Sequence, residues 1–382
     1  MQAVPAAFCG REAANDAPMP RDLTDSSSPK AFVSSESHPT GQIVVRMSGK
    51  SDVGRSREHN EDAYMLADLT TGRSSLDGDV DEHESGSRGT LFMVADGLGG
   101  AVSGEIASRM AVELVLEEMR RKWSDAETTD PTSFAAALQG AAELANVKIH
   151  EYAMSHREHR GMGTTATIAG LYGDRLYLVQ VGDSRAYLIR GGEARQLTKD
   201  QSLMQRLVEA GEMTEEEAEQ SERRNIILQA LGPESQVKID LTHQALRRGD
   251  ALALCTDGLF GVVKKEEIAR AFAEEPTLEA ACENLIDLAN QRGGPDNITV
   301  VLARFDGDGL LRASTGDPVG HTAFVPGGPD PNIATRQTTR LERPIGVAPR
   351  QVPTLMRGNT PYILAAVATL IIALAVIFLR GD

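Results

Sequence analysis

The chain has 382 residues, 41% hydrophobic and 25% charged, enough for a substantial core, and carries a formal net charge of −16. That acidity excludes a nucleic-acid binder working through a strongly basic stripe, and aromatics at only 4% leave no base-stacking set. Three cysteines (Cys9, Cys255 and Cys282), odd in number and without C-x-x-C spacing, exclude a disulfide framework and fit a reducing, cytosolic setting.

In chain order, residues 1–41 are rich in Ala, Pro, Ser and Asp, lack periodicity and read as a disordered arm; no apolar stretch behind a basic start marks a secretory signal. Ser51–Tyr64, SDVGRSREHNEDAY, sets a candidate anion-binding arginine, Arg57, ahead of the acidic pair Glu61 and Asp62. Residues 71–89 read as a polar, acidic loop insertion between two strands, with His83 solvated there rather than holding a metal. Thr90–Ala95 reads as a strand ending at Asp96. It leads into a helix with Ile106, Met110, Leu114, Val115 and Met119 on one face. A second helix over about 133–152 carries Phe134, Leu138, Ala141, Ala145, Ile149 and Tyr152 at helical spacing, and His150, His156 and His159 read as surface residues near its end. Thr164–Tyr172, Arg175–Val181 and Arg185–Arg190 alternate with Gly173-Asp174 and Gly191-Gly192 turns as an antiparallel meander, which argues against a doubly wound parallel sheet. The acidic stretch EAGEMTEEEAEQSERRN within 199–232 reads as a solvated helix face. Cys255, in ALALC, reads as a small core residue.

Residues 306–360 turn Pro-, Gly- and Thr-rich, with five arginines after Asn332, and read as a flexible linker. Tyr362–Leu379 is an 18-residue run without charge, long enough as a helix, about 27 Å, to cross a hydrocarbon core. Residues 361–379 are therefore expected to be a transmembrane helix, and the arginines before it place the bulk of the chain in the cytoplasm.

Four aspartates, each read as standing one residue past the end of an apolar run, carry the chemistry: Asp96 in VADGLGG, Asp183 in VGDSR, Asp257 in CTDGLF and Asp296 in GPDNITV. An ionised carboxylate at a buried strand end costs several kcal/mol unless a cation or donor meets it. Hard divalent cations such as Mg2+ or Mn2+ prefer such oxygens, and the glycine after Asp96 and after Asp257 leaves room close to an ion.

With Ser51–Asp62, Asp96–Gly100, Gly163–Thr165, Gly182–Arg185, Arg224–Gly232, Thr256–Gly258 and Asp296–Thr299 in this order, the chain resembles the type-2C metal-dependent Ser/Thr protein phosphatase family, bacterial branch, over about residues 44–305. The resemblance implies an α+β fold, a four-layer α/β/β/α sandwich with two central antiparallel sheets, over a catalytic domain at 42–305, and makes 199–232 a mobile flap. It implies two Mn2+ or Mg2+ ions. Asp96 would bridge them, the Gly97 carbonyl would bind one, and Asp257 and Asp296 would hold the other. Glu61 and Asp62 would complete the second ion's shell directly or through water, Asn297 would steady the final carboxylate, and Asp183 would hold a third, weaker metal. Arg57 matches the arginine that grips the substrate phosphate. Leu98 stands where animal relatives carry a proposed histidine general acid, and a lone loop histidine such as His59 is a poor replacement. The expected function is dephosphorylation of phosphoserine and phosphothreonine proteins at a bacterial cytoplasmic membrane, opposing a Ser/Thr kinase. The alternative is a catalytically weak phosphoprotein-binding scaffold on the same fold.

Overall fold

In a computed structural model, residues 41–325 are described, apart from Asp79, Thr128, Glu222 and Arg224. The chain begins with β1 (Val44–Asp52), β2 (Asp62–Asp68), β3 (Arg73–Ser74), β4 (Glu82–Glu84) and β5 (Thr90–Leu98), followed by α1 (Ala101–Met119) and α2 (Pro131–Ser155). Then come β6 (Gly163–Thr164), β7 (Ala166–Tyr172), β8 (Arg175–Val181), β9 (Arg185–Arg190), β10 (Glu193–Gln196), α3 (Leu203–Glu209) and α4 (Glu215–Glu219). The domain finishes with β11 (Asp240–Ala245), β12 (Ala251–Cys255), α5 (Asp257–Phe260), α6 (Lys265–Glu274), α7 (Leu278–Gln291) and β13 (Ile298–Asp306).

Two antiparallel sheets result. One runs β10-β9-β12-β13-β1-β4, the other β11-β8-β7-β5-β2-β3, with β6 paired to β5. The period-2 alternation of the central strands decides the layering. Along β5, Leu91, Met93 and Ala95 face α1 and α2 while Phe92 and Val94 face the opposite sheet. Along β13, Val301, Ala303 and Phe305 face inward while Val300 and Leu302 pack under α6 and α7. Phe92 and Phe305 meet edge to face across the sandwich at 6.1 Å. Both sheets are thus covered on both sides, so their strands read as continuous apolar runs, and the four-layer α/β/β/α order follows.

The outer helices are fixed by caps and one aromatic cluster. The Asp130 side chain accepts from the Thr132 and Ser133 amides with Pro131 at the first helical position, which starts α2. A turn of π-helix over Arg120–Ser124 follows α1, and there Trp123 is buried against Phe134 and Tyr172 with its indole N–H donating to the Arg88 carbonyl.

Several expectations are corrected. Segment 71–89 is not a detached loop: β3 extends one sheet and β4 the other, and Ser74 and Val80 are buried. His83 there is half-buried, its Nε2 paired with the Thr90 hydroxyl at 2.7 Å. The meander also breaks. β7 and β8 form a hairpin, but β9 pairs with β10 and β12 in the other sheet, so the Gly182–Ser184 turn carries the chain from one sheet to the other. The globular domain does not stop at residue 305. Leu310 enters the core, Phe324 packs edge to face on Tyr177, and Ala323 bridges to Thr242 on the β11 edge, so 307–325 is a strap rather than linker. Residues 1–40 of the arm, the linker beyond 325 and the transmembrane helix expected at 361–379 lie outside the described residues. Among the described residues no helix is long and apolar enough to cross a membrane.

Candidate metal centre

The sandwich brings the strand-end carboxylates to one end. Asp96 lies within β5 rather than past it, directly opposite Asp62 on β2. Its backbone is locked by the Gly163–Thr165 segment: the Asp96 amide donates to the Thr165 hydroxyl at 2.9 Å, and the Asp96 carbonyl accepts from the Thr165 amide at 2.8 Å and the Thr164 hydroxyl at 2.9 Å. Gly97 follows where no side chain fits; a Cβ there would stand 2.3 Å from the Gly104 carbonyl oxygen of α1 and 2.6 Å from that of Glu61. Asp183 lies in the crossover between the sheets. Asp257 opens α5 directly behind β12, and Asp296 leads into β13 rather than following an apolar strand.

Hydroxyls and one amide set the carboxylates in place. The Thr256 hydroxyl donates to Asp62 Oδ2 at 2.8 Å and accepts from the Thr299 amide at 3.0 Å. The Asn297 side chain does not steady Asp296 as expected; its backbone N–H does, at 2.9 Å. Its side-chain amide instead donates to the Val53 and His59 carbonyls, both at 2.9 Å, while its Oδ1 accepts from the Glu61 amide at 2.8 Å. Asn297 therefore staples down the loop that carries Arg57. Gly54 (φ +80°) lets that loop lie flat, since a Cβ there would stand 2.1 Å from the Asp296 carbonyl oxygen. Arg57 is half-exposed and its Nη2 meets Asp296 Oδ2 at 2.7 Å. Thr256 and Thr299 were legible only as the non-acidic letters of the TDG and DNIT strings.

The electrostatics are those of a site short of positive charge. Burial, then the charges of Asp62, Asp257, Asp183 and Asp296, raise the Asp96 carboxyl well above the usual carboxylate range. Burial pushes Asp62 up to about 7 against the hydrogen bonds from Thr299 and Thr256. Burial, then Asp257, pushes Asp183 to about 7, and burial raises Glu61. Asp183 Oδ1 is buried with no hydrogen-bond partner. Among the described residues no three His, Cys, Asp or Glu side chains stand close enough together to hold a metal ion. Arg57 takes up one oxygen of Asp296. The donors are nonetheless all oxygen, crowded and partly orphaned, which fits a hard divalent cation and nothing softer. His59 is exposed and its carbonyl accepts from Asn297; Leu98 ends β5.

An all-oxygen acidic pocket with an arginine at its rim is the kind of site that sets hard cations beside an oxyanion. Residues 77–303 match the family model for Protein phosphatase 2C. The serine/threonine phosphatase stp of Listeria innocua serovar 6a is 36% identical over 256 residues, covering 66% of this chain and 93% of that protein. The crystal structure of the Mycobacterium tuberculosis serine/threonine phosphatase PstP/Ppp superposes with a TM-score of 0.57 at 34% identity, covering 71% of this chain and 100% of that one. The PstP catalytic domain in complex with two manganese ions gives 0.56 at 34% identity, covering 69% and 99%. The chain belongs to the protein phosphatase 2C family.

Proposed function

We propose that this metal-dependent serine/threonine phosphatase works with two Mn2+ or Mg2+ ions held by Asp62, Asp96, the Gly97 carbonyl, Asp257 and Asp296, with Glu61 and Asn297 supporting them. The observation that carries this reading is the convergence of five mutually repelling carboxylates at one end of the sandwich, with a buried oxygen of Asp183 left unpartnered. When bound, the ions would acidify a water and neutralise charge on the phosphoryl oxygens. The chain's own residues do the rest. Arg57 turns from Asp296 to the substrate phosphate, where its planar fork makes two parallel hydrogen bonds. The Thr256 hydroxyl and the Asn297 staple keep Asp62 and the Arg57 loop in register. With Leu98 ending β5, the leaving serine or threonine takes its proton from water.

Three further assignments belong to the same proposal. Asp183 holds a third, weaker ion, for which its orphaned oxygen is the support. The substrates are phosphoproteins, including those made by a Ser/Thr kinase. The uncharged run Tyr362–Leu379, preceded by arginines, anchors the chain in a cytoplasmic membrane with the catalytic domain on the cytoplasmic side. The test is hydrolysis of a phosphothreonine peptide by the detergent-solubilised full chain with Mn2+, Mg2+ or EDTA. Turnover that chelation abolishes supports the enzyme. Peptide binding without turnover under any metal supports the scaffold instead.

A further inference from the structure

Arg185 is absorbed by none of the roles above, yet it joins three parts of the site. It stands two residues beyond Asp183 and pairs in register with Cys255, two residues before Asp257. Its guanidinium grips Asp200, Nε at 3.1 and 3.0 Å from the two oxygens and Nη2 at 2.7 Å from Oδ2. The same group lies 4.0 Å from the ring centroid of Phe260, the last residue of the helix that Asp257 opens, and Nη1 reaches the Tyr187 hydroxyl at 3.3 Å. Asp200 is nearly buried, at 9% exposure, and accepts also from Gln196 Nε2 at 2.9 Å, so the pair is held rather than solvated. The next residue closes the joint from the other side. Gln201 donates its amide to the Gly182 carbonyl at 2.8 Å and accepts the Gly182 amide on Oε1 at 2.9 Å. The Asp183 turn is therefore gripped on both flanks by the root of segment 199–232, while the face of Arg185 rests on the Asp257 helix.

We propose that Arg185 is a positioning residue for the reaction, fixing the Asp183 turn, the root of segment 199–232 and the Asp257 helix relative to one another. A planar, delocalised cation suits this task. It can make in-plane bonds to a carboxylate and offer its face to an aromatic ring at once, which an ammonium cannot. Loss of that joint leaves each carboxylate present but no longer held at the separation a shared cation requires, and outer contacts of this kind are worth about 10–100-fold in metal affinity.

The inference rests on the metal-site reading above, and the test separates the two. Full-length wild type, Arg185→Lys and Phe260→Leu are titrated with Mn2+ by calorimetry, and p-nitrophenyl phosphate turnover is followed against Mn2+. Arg185→Lys should weaken the weakest Mn2+ phase by about tenfold or more and lower kcat, with KM within about twofold of wild type. Phe260→Leu, which conserves bulk and removes only the ring, should shift the same phase in the same direction by a smaller factor. Unchanged Mn2+ isotherms in both variants, with or without a lower melting temperature, would leave Arg185 purely structural and overturn the proposal. A wild-type chain that binds no Mn2+ would overturn the metal reading together with it.

Discussion

Arg57 and Asn297 divide one task. Arg57 is half-exposed, which suits its proposed exchange of Asp296 for a phosphate, whereas Asn297 is buried and holds the Arg57 loop through three hydrogen bonds. Arg57→Ala should therefore raise KM for a phosphopeptide by about tenfold or more, with a much smaller change in Mn2+ affinity, because a charge-assisted bidentate contact is worth about 1.5–3 kcal/mol. Unchanged phosphopeptide kinetics would remove the phosphate grip from Arg57. Asn297→Ala leaves two carbonyls and one amide without partners and should cost about 1–3 kcal/mol in chemical denaturation. It should also raise KM in the same sense as Arg57→Ala. A stability loss with KM intact would make Asn297 a fold residue only.

At the scale of elements, the parts legible in the sequence are those with dense local signals. TLFMVA before Asp96 and ALALC before Thr256 are apolar runs of strand length, and the helical spacing from Phe134 to Tyr152 marks α2, although its Asp130 cap and Pro131 start lie ahead of the expected residue 133. The crossover at Gly182–Ser184 was not legible, because a glycine turn between two strands looks the same whether the chain reverses within a sheet or leaves it. Strands β3 and β4 are too short and polar to show a period, and are held by register to β2 and β1, with Ser74 of β3 buried. The strap at 307–325 has its apolar anchors, Leu310, Val319 and Phe324, too far apart to form a pattern. Its polar anchor is the ion pair of Arg247 with Asp317, Nε to Oδ2 at 2.8 Å, both side chains largely buried. This pair holds the Asp317 carboxyl at about 2, below its ordinary 3.8. A depressed carboxyl contributes stability above its unfolded value, and that contribution is lost as pH falls from about 4 towards 2; the shift corresponds to about 2 kcal/mol. Asp317→Asn should thus lower unfolding stability by about 1–2 kcal/mol at pH 7, and the gap to wild type should close between about pH 4 and pH 2. A gap independent of pH would mean that the ion pair does not hold the strap.

For the whole molecule, the proposed anchor at Tyr362–Leu379 would confine the phosphatase domain near a membrane, where tethering raises the local concentration of phosphoproteins without altering chemistry. Removing residues 359–382 should move the protein to the soluble fraction with its peptide kinetics unchanged; full-length protein found soluble without detergent would remove the anchor. The fold, the family and the acidic end of the sandwich were all readable from ordered motifs, whereas the hydroxyl and amide scaffold behind them needed the register of β2, β5, β12 and β13. The central claim is that this acidic end is a metal site. Its most direct test is equilibrium dialysis of the full chain against Mn2+, wild type beside Asp96→Asn, with phosphothreonine peptide turnover measured on the same samples. Two or more ions per wild-type chain, fewer in a folded Asp96→Asn, and turnover lost with them is the predicted result. Equal Mn2+ binding in the two proteins, or turnover that survives without bound metal, would contradict it.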